Sequence, residues 1–114
     1  MTSDVRMLKA LADPVRLRIL DFLRDPPPGA CSPERICAFD LEKHVGLRQP
    51  TVSHHMKILA DAGLVSAEKH GRWVYYELCS AAFEELARLL RRYRVERSSS
   101  PVLGRLRETE PEEL

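Results

Sequence analysis

The sequence has no apolar run near the roughly 18 residues that a membrane-crossing helix requires. It also lacks a basic start followed by an apolar stretch and a small-residue cleavage site, so a cytoplasmic location without a membrane partner is expected. Only five glycines occur, each isolated, and none builds the Gly-rich loop that cradles phosphate. No Ser-His-Asp arrangement stands out, and the carboxylates fall at helix starts and on polar faces; an enzyme is not expected. Three cysteines, Cys31, Cys37 and Cys79, are too few and too odd in number for a disulfide framework. They are left for thiol chemistry or a metal. A strong charge of one sign is missing too, since the formal net charge is +1.

That near-neutrality hides an uneven distribution. Between Lys43 and Arg72 lie five basic residues (Lys43, Arg48, Lys57, Lys69, Arg72), two acids (Asp61, Glu68) and all four histidines. The last seven residues hold four glutamates. A basic middle beside an acidic end gives a local positive face on a nearly neutral chain. The 114 residues fit one domain with a small core, and association of copies would add burial.

The periodicity predicts a mainly α fold with a small β-hairpin. A short first helix spans Ser3 to Ala12, with Val5, Leu8, Leu11 and Ala12 on one side. Asp13 then caps a second helix that Pro14 can open without losing a hydrogen bond; Val15, Ile19, Leu20 and Leu23 follow at helical spacing. Asp25 to Gly29, with three consecutive prolines, ends it. Ile36 to Phe39 reads as extended. Asp40 is the expected cap of a short helix from Leu41 to Val45, and Gly46 its stop. A tight turn leads to a helix opening at Gln49-Pro50, with Val52, Met56, Leu59 and Gly63 on one face. Helix, short Gly-containing turn, helix is the helix-turn-helix pattern. After Gly63 the period changes: Leu64–Lys69 and Trp73–Leu78 favour strands, and His70-Gly71-Arg72 makes the turn of a wing. Ser80 is the expected cap of a last helix with an apolar stripe of Phe83, Leu86, Leu89, Leu90 and Tyr93, ended by Ser98 to Pro101. Residues 1–97 then form one DNA-binding and dimerisation domain, and 98–114 a disordered tail.

With Val52, Met56 and Leu59 turned inward, the helix from Gln49 presents Thr51, Ser53, His54 and Lys57 outward. Short hydroxyls, an imidazole and a cation near a helix N-terminus suit the major groove: Gln49, Ser53 and His54 for base edges, Thr51 and Lys57 for phosphates. Lys69, His70 and Arg72 at the hairpin tip would reach the neighbouring backbone or minor groove. A solvated helix face accommodates the same residue types, but the order of helix-turn-helix, basic hairpin and flanking helices points to double-stranded operator DNA.

Four linked runs carry a family resemblance: Leu8 to Leu20 (LKALADPVRLRIL), Gln49 to Leu59 (QPTVSHHMKIL), Ala62 to Val65 (AGLV) and Gly71 to Tyr76 (GRWVYY). Together they resemble the ArsR/SmtB family of metal-responsive regulators over roughly Met7 to Arg94. The resemblance implies a winged helix-turn-helix homodimer, built through the first and last helices, that represses until an inducer releases it from DNA.

The resemblance leaves the inducer open. Arsenic-responsive members carry Cys-x-Cys-x-x-Cys where this chain has Cys37-Ala38-Phe39-Asp40-Leu41-Glu42, so only Cys37 matches. Zinc- and nickel-responsive members use Asp/His and His/Glu pairs on the last helix. The corresponding positions hold Ser80, Ala82, Tyr93 and Glu96, of which only the carboxylate fits. Cys37 and Asp40, three apart, match half of another family site. Arsenite calls for three thiolates, and zinc or nickel accept mixed sets. Convergence of Cys31, Cys37 and Cys79, with Asp40, is the candidate site; burial of Cys37 and Cys79 as small apolar residues is the plainer reading. Control by thiol oxidation, or by no inducer, and activation instead of repression are the alternatives. His44 is expected at the surface and His55 in packing.

Overall fold

The computed structural model describes residues 3–26 and 36–96. The expected tail (98–114) and Cys31 with its Pro-rich surroundings lie outside them. The first helix, α1 (Ser3–Leu11), buries Met7 and Ala10, whereas Val5 and Leu8 point outward. Its inner face is therefore rotated from the one the spacing suggested. Asp13 is extended, accepts the Arg16 N–H on its carboxylate at 3.0 Å and precedes Pro14; these features together start α2 (Pro14–Arg24). Ile19 and Leu20 of α2 are buried.

Strand β1 is only Ile36–Cys37, and α3 begins at Ala38, not after Asp40. The reason is local. The Asp40 carboxylate reaches back to accept the Cys37 backbone N–H at 3.1 Å, so Asp40 caps the helix from its third position. α3 (Ala38–Leu41) runs on into a π-helical turn, Glu42–Gly46. Gly46 closes that turn at φ +81°, a conformation that suits a residue without Cβ. From α2, Arg18 donates to the Val45 carbonyl at 2.8 Å and Phe22 stacks on the exposed His44 at 5.6 Å.

α4 (Gln49–Asp61) opens with Pro50 in its first turn and buries Val52, Met56 and Leu59. Its end is closed by two reverse bonds, Gly63 N–H to the Ala60 carbonyl (2.9 Å) and Leu64 N–H to the Leu59 carbonyl (3.0 Å), across Gly63 at φ +81°. Gly63 thus terminates the helix and does not belong to its apolar face. β2 (Val65–His70) and β3 (Trp73–Leu78) form the wing, joined by the two-residue turn Gly71-Arg72. β3 also pairs with β1, giving the antiparallel order β1-β3-β2. α5 (Ser80–Arg91) starts after Cys79, without the expected Ser80 cap, and stops well before the serine run. Leu86 faces the core that joins α1, α2, α4 and the sheet, Phe83 and Leu89 are half-buried, and Leu90 and Tyr93 are exposed.

Candidate nucleic-acid interface and thiol corner

Because Val52, Met56 and Leu59 are fixed in the core, the opposite side of α4 has no choice but solvent. Gln49, Thr51, Ser53, His54 and Lys57 are all exposed there, as the sequence suggested. Two pairs order this surface: the Gln49 amide donates to Ser53 Oγ at 3.0 Å, and Lys57 Nζ lies 3.3 Å from Asp61 Oδ2. Both are four-residue helical neighbours and solvent-exposed, so exchanging them for contacts with a ligand costs little. Arg48, just before α4, is also exposed and adds a cation that sequence reasoning left out. The first turn of α4 contributes free N–H groups, which favour phosphate.

The wing residues separate by strand parity. Lys69 stands across from Val74, and His70 across from Trp73, so Lys69 and His70 project from opposite faces of the hairpin. His70 Nε2 lies 3.2 Å from Glu68 Oε2, and its ring meets Tyr75 edge-on at 5.6 Å, which occupies much of its bonding capacity. Arg72 sits in the turn with its guanidinium 6.0 Å from the Trp73 ring, itself 46% exposed. Trp73, a strand former by type, stands at the tip because it is the first residue after the Gly71-Arg72 turn.

His55 behaves differently from His54. It is half-buried and receives a bond from Arg16 Nη1 at 3.2 Å on Nδ1. Burial is the main cause that holds its imidazole below the ordinary histidine value, against the pull of the Asp13 carboxylate.

At the start of α3, Cys37 (0% exposed) and Asp40 (2% exposed) form a buried corner, with the thiol donating to Asp40 Oδ2 at 3.4 Å. Cys37 pairs with Tyr75 in the sheet, and Cys79 comes four residues later, roughly 13 Å of strand away. The fold thus joins Cys37 to Asp40 and leaves Cys79 apart; Cys31 lies outside the described residues. Among the described residues no three or more His, Cys, Asp or Glu side chains are grouped to hold a metal. One thiol and one carboxylate make half of a four-coordinate set for a borderline ion, and fall short of three thiolates.

The family described as "Bacterial regulatory protein, arsR family" matches residues 13–67. The chain is 46% identical over 72 residues to the arsenical resistance operon repressor of Staphylococcus xylosus, covering 63% of this chain and 62% of that protein. It therefore spans less than two thirds of that relative's length. To the repressor of the same name from Staphylococcus aureus it is 41% identical over 80 residues, covering 70% of this chain and 69% of that one. The fold superposes on an ArsR-like transcriptional regulator from Rhodococcus sp. RHA1 with a TM-score of 0.64 at 26% identity, covering 79% of this chain and 77% of that one. The chain belongs to the arsR family of bacterial regulatory proteins: it is a winged helix-turn-helix transcriptional regulator.

Proposed function

We propose that two copies of this chain bind operator DNA in the cytoplasm, repress transcription, and let go when a metal or metalloid ion binds. The observation that carries the DNA reading is the outer surface of α4. Gln49, Thr51, Ser53, His54 and Lys57 stand exposed beside a wing that offers Lys69, His70 and Arg72. Dimerisation draws support from α1 and α5, which pack on each other and still leave apolar side chains in water: Val5 and Leu8 from α1, Leu90 from α5, and Tyr93 (68% exposed) and Val95 just beyond it. A second copy would cover them. No helix among the described residues is long and apolar enough to cross a membrane.

For the ion, the Cys37–Asp40 corner supplies two donors, and the remaining ligands have to come from outside that corner, Cys31 being the nearest thiol in sequence. Arsenite, zinc and nickel are the candidates, and the arsenical resistance repressors are the relatives that support control of this kind. The test is a band shift with a duplex that the protein enriches from a random-sequence pool, followed by titration of the complex with each ion. Release by one ion, abolished in Cys37→Ser, is the expected result. A complex that withstands all three would end the case for ion control and leave the DNA reading standing.

A further inference from the structure

One guanidinium in this molecule joins three helices. Arg16 begins in the first turn of α2, where its backbone N–H is held by Asp13. Its side chain turns back to α1: Nε donates to the Ala10 carbonyl at 2.6 Å and Nη2 to the Lys9 carbonyl at 3.4 Å. Both carbonyls belong to the last turn of α1, where a cation is favoured; the Lys9 carbonyl also accepts the Ala12 N–H at 3.2 Å. The remaining arm, Nη1, reaches His55 Nδ1 at 3.2 Å on the inner flank of α4, 39 positions away in the chain.

We propose that Arg16 and His55 are positioning residues for DNA reading: they tie α1 to α4, fix the pose of the reading helix, and hold only while His55 is neutral. The proposal rests on the reading of α4 as the helix that faces DNA. Its chemistry is simple. Arginine offers donors and no acceptor, so His55 must accept through an unprotonated Nδ1, its own proton being on Nε2. A charged imidazole would carry two donors and face a guanidinium. The charged groups acting on His55 are Asp13 and Arg16 at the corner between α1 and α2, and His54 on its own helix. Among the described residues none from α1, α3 or β2, the other elements packed on α4, acts on it. Burial foremost, with repulsion from Arg16 and His54, outweighs the attraction of Asp13 and keeps the ring neutral near neutral pH. Since α1 carries part of the apolar surface assigned to the second copy, the tie would also set how the two reading helices of a dimer are spaced.

The experiment uses the full chain, with a duplex that the unaltered protein enriches from a random-sequence pool and a random duplex of equal length. The readout is the ratio of the two affinities, with folding checked by circular dichroism. Arg16→Lys keeps the charge and loses the fork; it should bind the random duplex much as before, while the ratio drops about tenfold. His55→Gln retains an acceptor that does not titrate, and should keep the ratio near neutral pH. Between about pH 7.5 and about pH 5.5 the unaltered protein should lose selectivity, and His55→Gln should lose less of it. His54 and His70 are common to both proteins, so the comparison isolates the change at position 55. An unchanged ratio in Arg16→Lys, or parallel pH profiles, would overturn the proposal. Should Arg16→Lys fail to fold, His55→Leu decides: without an acceptor it must lose selectivity at neutral pH, or the tie does not position α4. If the unaltered protein enriches no duplex, the DNA reading itself falls, and this proposal with it.

Discussion

The outer surface of α4 and the Cys37–Asp40 corner belong to the same helix-turn-helix but stand in opposite relation to water. On α4 the polar side chains are exposed; Gln49–Ser53 and Lys57–Asp61 pair one helical turn apart, and His54 meets the adjacent His55 ring edge-on. At the corner, thiol and carboxylate are buried and serve the fold, since Asp40 holds the Cys37 backbone N–H and the thiol together. A surface of the first kind can be altered with little effect on folding. A corner of the second kind cannot change its bonds without disturbing the helix it starts.

The contrast can be attacked from both sides. Asp40→Ala should be the most damaging change, because it removes a buried carboxylate that accepts from the Cys37 N–H and thiol; a loss of about 2–3 kcal/mol in urea unfolding is expected. If the cost were within error, the corner would be as disposable as the surface. Ser53→Ala and His54→Ala should leave unfolding unchanged within about 0.5 kcal/mol, yet shift preference among operator variants by roughly 1–2 kcal/mol per base contact, read by competition binding. Equal stability losses at Ser53 and Asp40 would erase the distinction. A smaller effect is expected from pH. With its folded value lowered, His55 takes up a proton more readily in the unfolded chain, so stability is full above the ordinary histidine value of 6.5 and declines as pH falls below it. His55→Gln should flatten this part of the unfolding profile between about pH 7.5 and about pH 5.5. Least of all, Lys57→Ala should cost at most a few tenths of a kcal/mol in stability, while the salt dependence of DNA binding loses about one phosphate contact.

Much of this arrangement was legible where a local signal decides the backbone. Asp13-Pro14 starts α2, Gln49-Pro50 opens α4 and Gly71 turns the wing, because capping, proline and positive φ act over three or four residues. The α3 start was misplaced by the same logic applied one step short. Asp40 is a cap residue, but it acts from the third position on Cys37, and the spacing Cys-x-x-Asp with cysteine in place of serine was the available sign. Val5 and Leu8 of α1 are apolar and exposed, a pattern that a single-chain core does not explain and that their common side in the sequence leaves undecided between core and partner. The separation of Cys37 from Cys79 depends on strand register, and the Arg16–His55 bond on tertiary packing; neither leaves a trace in spacing.

Cys37 has a double membership with a mechanical result. It is the last residue of β1, paired to β3 of the wing, and also the residue from which α3 departs. Hairpin and helix-turn-helix are therefore joined at this residue as well as through the link from α4 into β2. On the proposed reading of wing and helix-turn-helix as the DNA-binding parts, a displacement of Cys37 reaches both through the backbone at once.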